Sequence, residues 1–147
     1  MPQPITRLLF VCTGNTCRSP MAEALARQLL DKRGRDDIMV ESAGLAADGA
    51  PASANAVAVL REVGLDIADR PSQPVTAAMC SRADHIAVMS PQHAAALMVR
   101  FGVPADKLSV LGGGIPDPFG GDMAVYRQAR DRIRAALEAL FSSFQEA

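Results

Sequence analysis

An α/β fold, with a parallel sheet covered by helices on both faces, is the architecture this sequence predicts. Three observations lead to it. Apolar runs of strand length alternate with segments of helical periodicity, the pattern of such sheets. The chain has 147 residues, 49% of them hydrophobic, which suits one domain over residues 1–147 with a full core. The first apolar run, Leu8-Leu9-Phe10-Val11, passes through a tight loop straight into a helical pattern.

Taken in order, the first strand is expected at about Arg7 to Cys12. A helix follows at about Pro20 to Arg33. Leu25, Leu29 and Leu30 face inward there, Glu23, Arg27 and Asp31 lie on its wet side, and Gly34 ends it. A second strand is read at about Ile38 to Ala43, and a helix at about Ser53 to Val63 with Gly64 as its stop. A short helix at about Thr76 to Arg82 precedes a strand at about His85 to Met89. Pro91 opens the next helix, which runs to Phe101 and stops at Gly102. A short strand, about Leu108 to Leu111, leads into a glycine- and proline-rich loop, 112–121. The last helix spans about Asp122 to Ser143, with Val125, Ala129, Ile133, Leu137, Leu140 and Phe144 forming its inward face.

Composition excludes several classes. A net charge of −1 with scattered basic residues gives no nucleic-acid arm. No apolar stretch is long enough for a membrane span, and the N-terminus lacks the regions of a signal peptide, so a cytoplasmic protein is expected. Three cysteines do not make a disulfide scaffold. His85 and His93 lack finger spacing to any cysteine and read as surface or strand-end residues, so no metal site is expected. Cys80 sits mid-helix among Ala and Met and reads as core.

Chemistry concentrates in Cys12-Thr13-Gly14-Asn15-Thr16-Cys17-Arg18-Ser19-Pro20. Free N–H groups at a helix start, together with the macrodipole, make an anion site. Consecutive N–H groups in a turn form an anion-binding concavity. Gly14 allows a positive φ and Asn15 tolerates one. Ser19 is a suitable N-cap, with Pro20 at the first helical position. A thiol placed there, as Cys12 is, is a candidate nucleophile aimed at a bound phosphoryl group. Arg18 offers a planar fork that matches two phosphate oxygens, and Ser19 can donate to the thiolate.

Cys-x5-Arg-Ser within VCTGNTCRSPMAEA closely resembles the low-molecular-weight protein tyrosine phosphatase family, over nearly the whole chain. The resemblance implies a flavodoxin-like three-layer fold with four parallel strands in the order 2-1-3-4. The phosphate loop then lies at the carboxyl edge of the first strand. It also implies a general acid in the late Asp117-Pro118 pair, where Pro118 holds Asp117 in an extended conformation. Cys12 would attack phosphorus to form a phosphocysteine while Asp117 protonates the leaving group. Asp117 would then activate water, with no cofactor needed. Thr13, Gly14, Asn15, Thr16, Cys17, Ser19 and Phe119 are the expected phosphate and substrate contacts. Ser42 would brace the loop, and Cys17 would form a reversible disulfide with Cys12.

The family often has a His after the second helix that helps to hold the Asn. Here Asp69-Arg70-Pro71-Ser72 stands in that region, with Arg70 or Ser72 as the substitute. Thr13 and Asp-Pro-Phe-Gly-Gly look like the bacterial protein arginine phosphatase branch, whereas tyrosine-directed members carry a bulky aliphatic residue and a Tyr. The expected function is therefore hydrolysis of phosphotyrosine-type phosphomonoesters, with phosphoarginine as the alternative. Phosphorylated proteins are the expected partners of a monomeric enzyme that takes inorganic phosphate or sulfate in its loop. Arsenate reductase of the same fold and a non-catalytic phosphate-binding module are weaker alternatives. The first needs a cysteine relay that Cys80, with no near partner, does not supply.

Overall fold

In the computed structural model, which describes residues 4–145, four parallel strands lie in the order β2-β1-β3-β4. They are β1 (Arg7–Cys12), β2 (Met39–Gly44), β3 (His85–Val88) and β4 (Leu108–Val110). Pairing runs from Arg7 opposite Met39 to Cys12 opposite Gly44, and from Leu8 opposite His85 to Val11 opposite Val88. The helices are α1 (Arg18–Lys32), α2 (Ala54–Arg61), α3 (Ala77–Arg82), α4 (Pro91–Phe101) and α5 (Met123–Gln145).

Strand alternation sorts the core into two layers, because successive side chains leave a strand on opposite faces. Leu8, Phe10 and Cys12 join Met21 and Leu25 of α1, Val59 and Leu60 of α2, and Ile133 and Leu137 of α5. Leu9 and Val11 face the other way, onto Met79 and Cys80 of α3 and Leu97 of α4. The predicted three-layer sandwich and strand order are thus observed. Among the described residues, no helix is long and apolar enough to cross a membrane.

Four expectations need correction. Helix α1 begins at Arg18 with Cys17 at the cap position and no side-chain cap, so neither Ser19 nor Pro20 holds its expected place. Ser19 is drawn away because its hydroxyl serves the loop instead. The positive φ in that loop belongs to Asn15, at +56°, and not to Gly14. Glu23 is buried, at 3% exposure, since partners from β2 and a distant loop reach it. Finally, the inward stripe of α5 is Tyr126, Ala129, Ile133, Leu137 and Phe141, while Val125 is exposed. Leu140 and Phe144 sit half-buried at its margin.

The late loop is partly fixed. Leu111–Gly113 form a 3-10 turn, which shortens the expected fourth strand by a residue. Ile115 is buried and its N–H donates to the Met89 carbonyl at 2.8 Å. Beyond it, a turn closed by the Gly121 N–H on the Pro118 carbonyl at 2.8 Å carries Phe119 and Gly120.

Candidate active site

Cys12 ends β1 and Arg18 begins α1, so the five residues between them must reverse the chain within a few ångströms. Four carbonyls of this loop are engaged by backbone N–H groups. Cys12 O accepts from Leu45 N at 3.0 Å, Thr13 O from Ala46 N at 2.8 Å, Thr16 O from Ser53 N at 2.9 Å and Cys17 O from Met21 N at 3.2 Å. With the carbonyls tied outside, the loop's N–H groups are left for the concave side, as an oxyanion cradle requires. One of them, Asn15 N, already points at Cys12 Sγ from 3.3 Å.

The left-handed turn at Asn15 is held through its side chain. Asn15 Nδ2 donates to Ser19 Oγ at 2.7 Å and to Ser42 Oγ at 3.0 Å, and Oδ1 accepts from Gln73 N at 3.0 Å. Every hydrogen-bonding group of that amide type is thereby engaged. Because the Ser19 oxygen accepts from Asn15, its own proton is free to leave. Cys12 Sγ lies 2.9 Å away and the Ala43 carbonyl 3.5 Å. Ser19 is thus placed to donate to a Cys12 thiolate.

Behind Ser42 stands an ion cluster built on a buried carboxylate. Ser42 Oγ donates to Glu23 Oε1 at 2.9 Å and accepts from Arg70 Nη2 at 2.8 Å. Arg70 and Arg27 both pair with the Glu23 carboxylate. Arg70 thus stands in the region of the expected histidine but braces Ser42 and Glu23. Asn15 is held by the Gln73 backbone, and Ser72 Oγ instead accepts from Gly49 N at 3.1 Å. Burying Glu23 is tolerable only with such partners, since an unpaired carboxylate in the interior is strongly disfavoured.

Cys12, Thr13, Gly14, Thr16, Cys17, Arg18, Asp117 and Phe119 line one cavity of about 240 Å³. The predicted residues Asn15, Ser19 and Ser42 lie behind it, all three fully buried. Arg18 Nη1 donates to the Ile115 carbonyl at 3.0 Å, and Nη2 stands 3.6 Å from Asp117 Oδ2. Asp117 Oδ1 accepts from Phe119 N at 3.1 Å, an Asx turn that aims the carboxylate. That carboxylate is about half exposed, and Phe119 is an exposed aromatic at the rim.

All three cysteines are free. Cys17 Sγ contacts Ser53 Oγ at 3.3 Å and Tyr126 Oη at 3.4 Å, so its thiol sits at a joint between the loop, α2 and α5. Burial first, and then the bond to Cys17, pushes the Tyr126 pKa up to about 12, which keeps that phenol neutral. Among the described residues, no group of three or more His, Cys, Asp or Glu side chains could hold a metal ion.

Sequence reasoning missed two residues here outright. Gly44 was visible in Ser-Ala-Gly, but its reason is spatial. A Cβ there would meet Thr13 O at 2.6 Å and Asn15 N at 2.8 Å, both backbone atoms. His93 is buried, not a surface residue, and its Nε2 lies 2.9 Å from Thr13 Oγ1. Burial first, and then the Arg18 charge, brings its pKa down to about 4, against a weaker opposite pull from Asp117.

Residues 7–147 match the model of the low molecular weight phosphotyrosine protein phosphatase family. A protein-arginine-phosphatase of Geobacillus stearothermophilus is 41% identical over 95% of this chain and 96% of its own length. An arsenate reductase of Brevibacillus brevis is 32% identical over 89% and 90%. Among solved structures, a YwlE arginine phosphatase carrying serine for its active-site cysteine, with that serine phosphorylated, superposes with a TM-score of 0.89. It is 34% identical and covers 95% of this chain and 96% of its own.

Two predictions follow from the geometry. Gly44→Ala should cost phosphate affinity and turnover together, because loop backbone must retreat from the new Cβ. Isothermal titration with phosphate and steady-state kinetics on an aryl phosphate measure both, and unchanged affinity would mean that the loop tolerates the methyl group. His93 affects acid stability. The unfolded imidazole takes up its proton near pH 6.5 and the folded one only near 4. Between those values the unfolded chain binds more protons, so stability falls as pH drops from about 6.5 to 4. The loss is on the order of 3 kcal/mol. Urea midpoints across that window should fall less for His93→Gln than for wild type, and parallel curves would remove His93 from the acid limb.

Proposed function

Since the chain belongs to the low molecular weight phosphotyrosine protein phosphatase family, we propose that it hydrolyses phosphorylated proteins by a two-step transfer carried by Cys12, Arg18 and Asp117. The observation that carries this reading is the 2.9 Å contact between the Ser19 hydroxyl and Cys12 Sγ. It puts a hydroxyl that can donate beside a nucleophilic sulfur inside an oxyanion cradle.

In the first step the Cys12 sulfur forms a bond to phosphorus as the bond to the leaving atom breaks. Asp117 gives that atom its proton. In the second, water attacks phosphorus as the sulfur–phosphorus bond breaks, and Asp117 takes a proton from that water. Inorganic phosphate then departs and the thiolate is restored. The loop N–H groups and the Arg18 fork hold the equatorial oxygens, so stabilisation is positioning and electrostatics. Cys17, which lines the same cavity, would protect Cys12 through a reversible disulfide.

Phosphoarginine is the substrate class that the rim favours. Thr13 presents a small polar side chain where a bulky aliphatic one would shape a slot for a phenol. Phe119 offers an aromatic face on which a guanidinium can stack, Asp117 attracts a cation, and the Geobacillus relative bears an arginine phosphatase name. A redox relay is disfavoured because Cys80 packs with Leu9 and Val11, on the opposite side of the sheet from Cys12. In this reading the enzyme works in the cytoplasm as a monomer and takes phosphate or sulfate in its loop. Three free cysteines suit a reducing compartment.

Cys12→Ser should abolish turnover yet still bind phosphate, because the cradle is backbone plus Arg18. Asp117→Asn should slow a phenyl phosphate far more than a nitrophenyl phosphate, since a better leaving group needs less help from an acid. Equal losses across a leaving-group series would argue against Asp117 as the proton donor. Side-by-side kinetics on phosphotyrosine and phosphoarginine peptides decide the substrate class. Thr13→Ile is expected to move the ratio of kcat/KM values toward phosphotyrosine by ~10–200-fold. A wild type inactive on phosphoarginine would leave it a tyrosine phosphatase with an atypical rim.

A further inference from the structure

His93 occupies the third position of α4, where its side chain turns into the protein beside the phosphate loop. It is 5% exposed, and its two ring nitrogens are in unequal situations. Nε2 lies 2.9 Å from Thr13 Oγ1. Nδ1 is buried with no hydrogen-bond partner. A neutral imidazole carries one proton, on one nitrogen or the other. Placing it on Nδ1 would bury an unpaired N–H, which is rarer in folded proteins than a buried acceptor left bare. The proton therefore belongs on Nε2, and His93 donates to the Thr13 hydroxyl.

Thr13 is the residue that needs such a partner. Its hydroxyl and methyl group are close in size, so rotation about χ1 can exchange them at little steric cost. The exchange reverses which side of the rim is polar. The hydrogen bond from His93 selects one rotamer. It also occupies one lone pair of the hydroxyl, leaving the other, with the O–H proton, for the pocket. Burial and the Arg18 charge keep His93 neutral at physiological pH, with a pKa of about 4. It therefore adds no second positive charge next to a cationic leaving group.

We propose that His93 is a positioning residue that sets leaving-group preference through Thr13, holding the hydroxyl in the orientation that accepts a guanidinium. This rests on the phosphoarginine reading given above. The hydrogen bond of the His93 side chain goes to Thr13 and not to the reacting sulfur. Its contribution should appear in discrimination between leaving groups, not in the transfer itself.

The test is a double-mutant cycle read as the kcat/KM ratio of a phosphoarginine peptide to 4-nitrophenyl phosphate. His93→Leu should lower that ratio about tenfold, within the range for a small change in pocket polarity. Thr13→Val should lower it in the same direction. In the Thr13→Val background, His93→Leu should add nothing, because the group it acts through is gone. His93→Gln, whose amide can place a donor near the position of Nε2, should restore most of the ratio. An unchanged ratio in His93→Leu overturns the proposal, as does an equal fall with and without the Thr13 hydroxyl.

Ring ¹⁵N chemical shifts supply a second measurement that needs no substrate. Nε2 should be the protonated nitrogen and Nδ1 the bare one, with both resonances moving in Thr13→Val. The opposite tautomer would overturn the assignment. If wild type does not turn over phosphoarginine, the substrate reading fails by itself. The cycle is then run on 4-nitrophenyl phosphate against an aryl phosphate bearing a guanidino group. A flat response there sinks the role of His93, and a retained one keeps it.

Discussion

A loop that aims its N–H groups at one point must find partners for the carbonyls it turns away. That constraint organises this protein. Leu45 and Ala46 stand where they do because β2 ends beside β1 in register, Cys12 opposite Gly44. Ser53 serves twice, its N–H bonding Thr16 O and its hydroxyl capping α2. Even the glycine after Ser42-Ala43 follows, since the two strands' loops approach more closely than a side chain permits. The catalytic loop is a local motif in sequence, but its shape is held from β2, from α2 and from the 72–75 segment.

The second support is ionic. Asn15 can adopt its left-handed turn because Ser19, Ser42 and Gln73 engage its amide, and Ser42 is in turn fixed by Glu23 and Arg70. Removing one member leaves a donor or a charge without a partner in a dry environment, which costs more than the interaction itself contributed.

Much of this was legible beforehand, and the failures share a cause. Helix number and the parallel sheet could be anticipated from alternation, and strand order and the contents of the cavity from the family resemblance carried by one motif and its flanks. Periodicity put Glu23 on a wet face because the pattern sees one helix, while burial depends on what packs over it. Val125 was placed inward for a simpler reason: strict four-residue steps drift by about 40° each on a helix of 3.6 residues per turn, so the stripe through Ala129, Ile133 and Leu137 runs back to Tyr126. Ser19 looked like a cap by its position and proved to belong to the sulfur. His93 gave no sequence signal at all. Only the three-dimensional meeting of α4 with the first loop residue shows what it does.

The Glu23–Arg70 pair has a consequence for how such sequences can change over time. Its two members lie 47 positions apart, one in the helix that follows the catalytic loop and one in the segment between α2 and α3. Loss of Arg70 alone would strand a buried carboxylate, and loss of Glu23 alone would strand a cation and loosen Ser42. Passage to a different brace at position 70 is therefore a path with few viable single steps. Descendants of this chain should keep both residues or exchange them in compensating combinations.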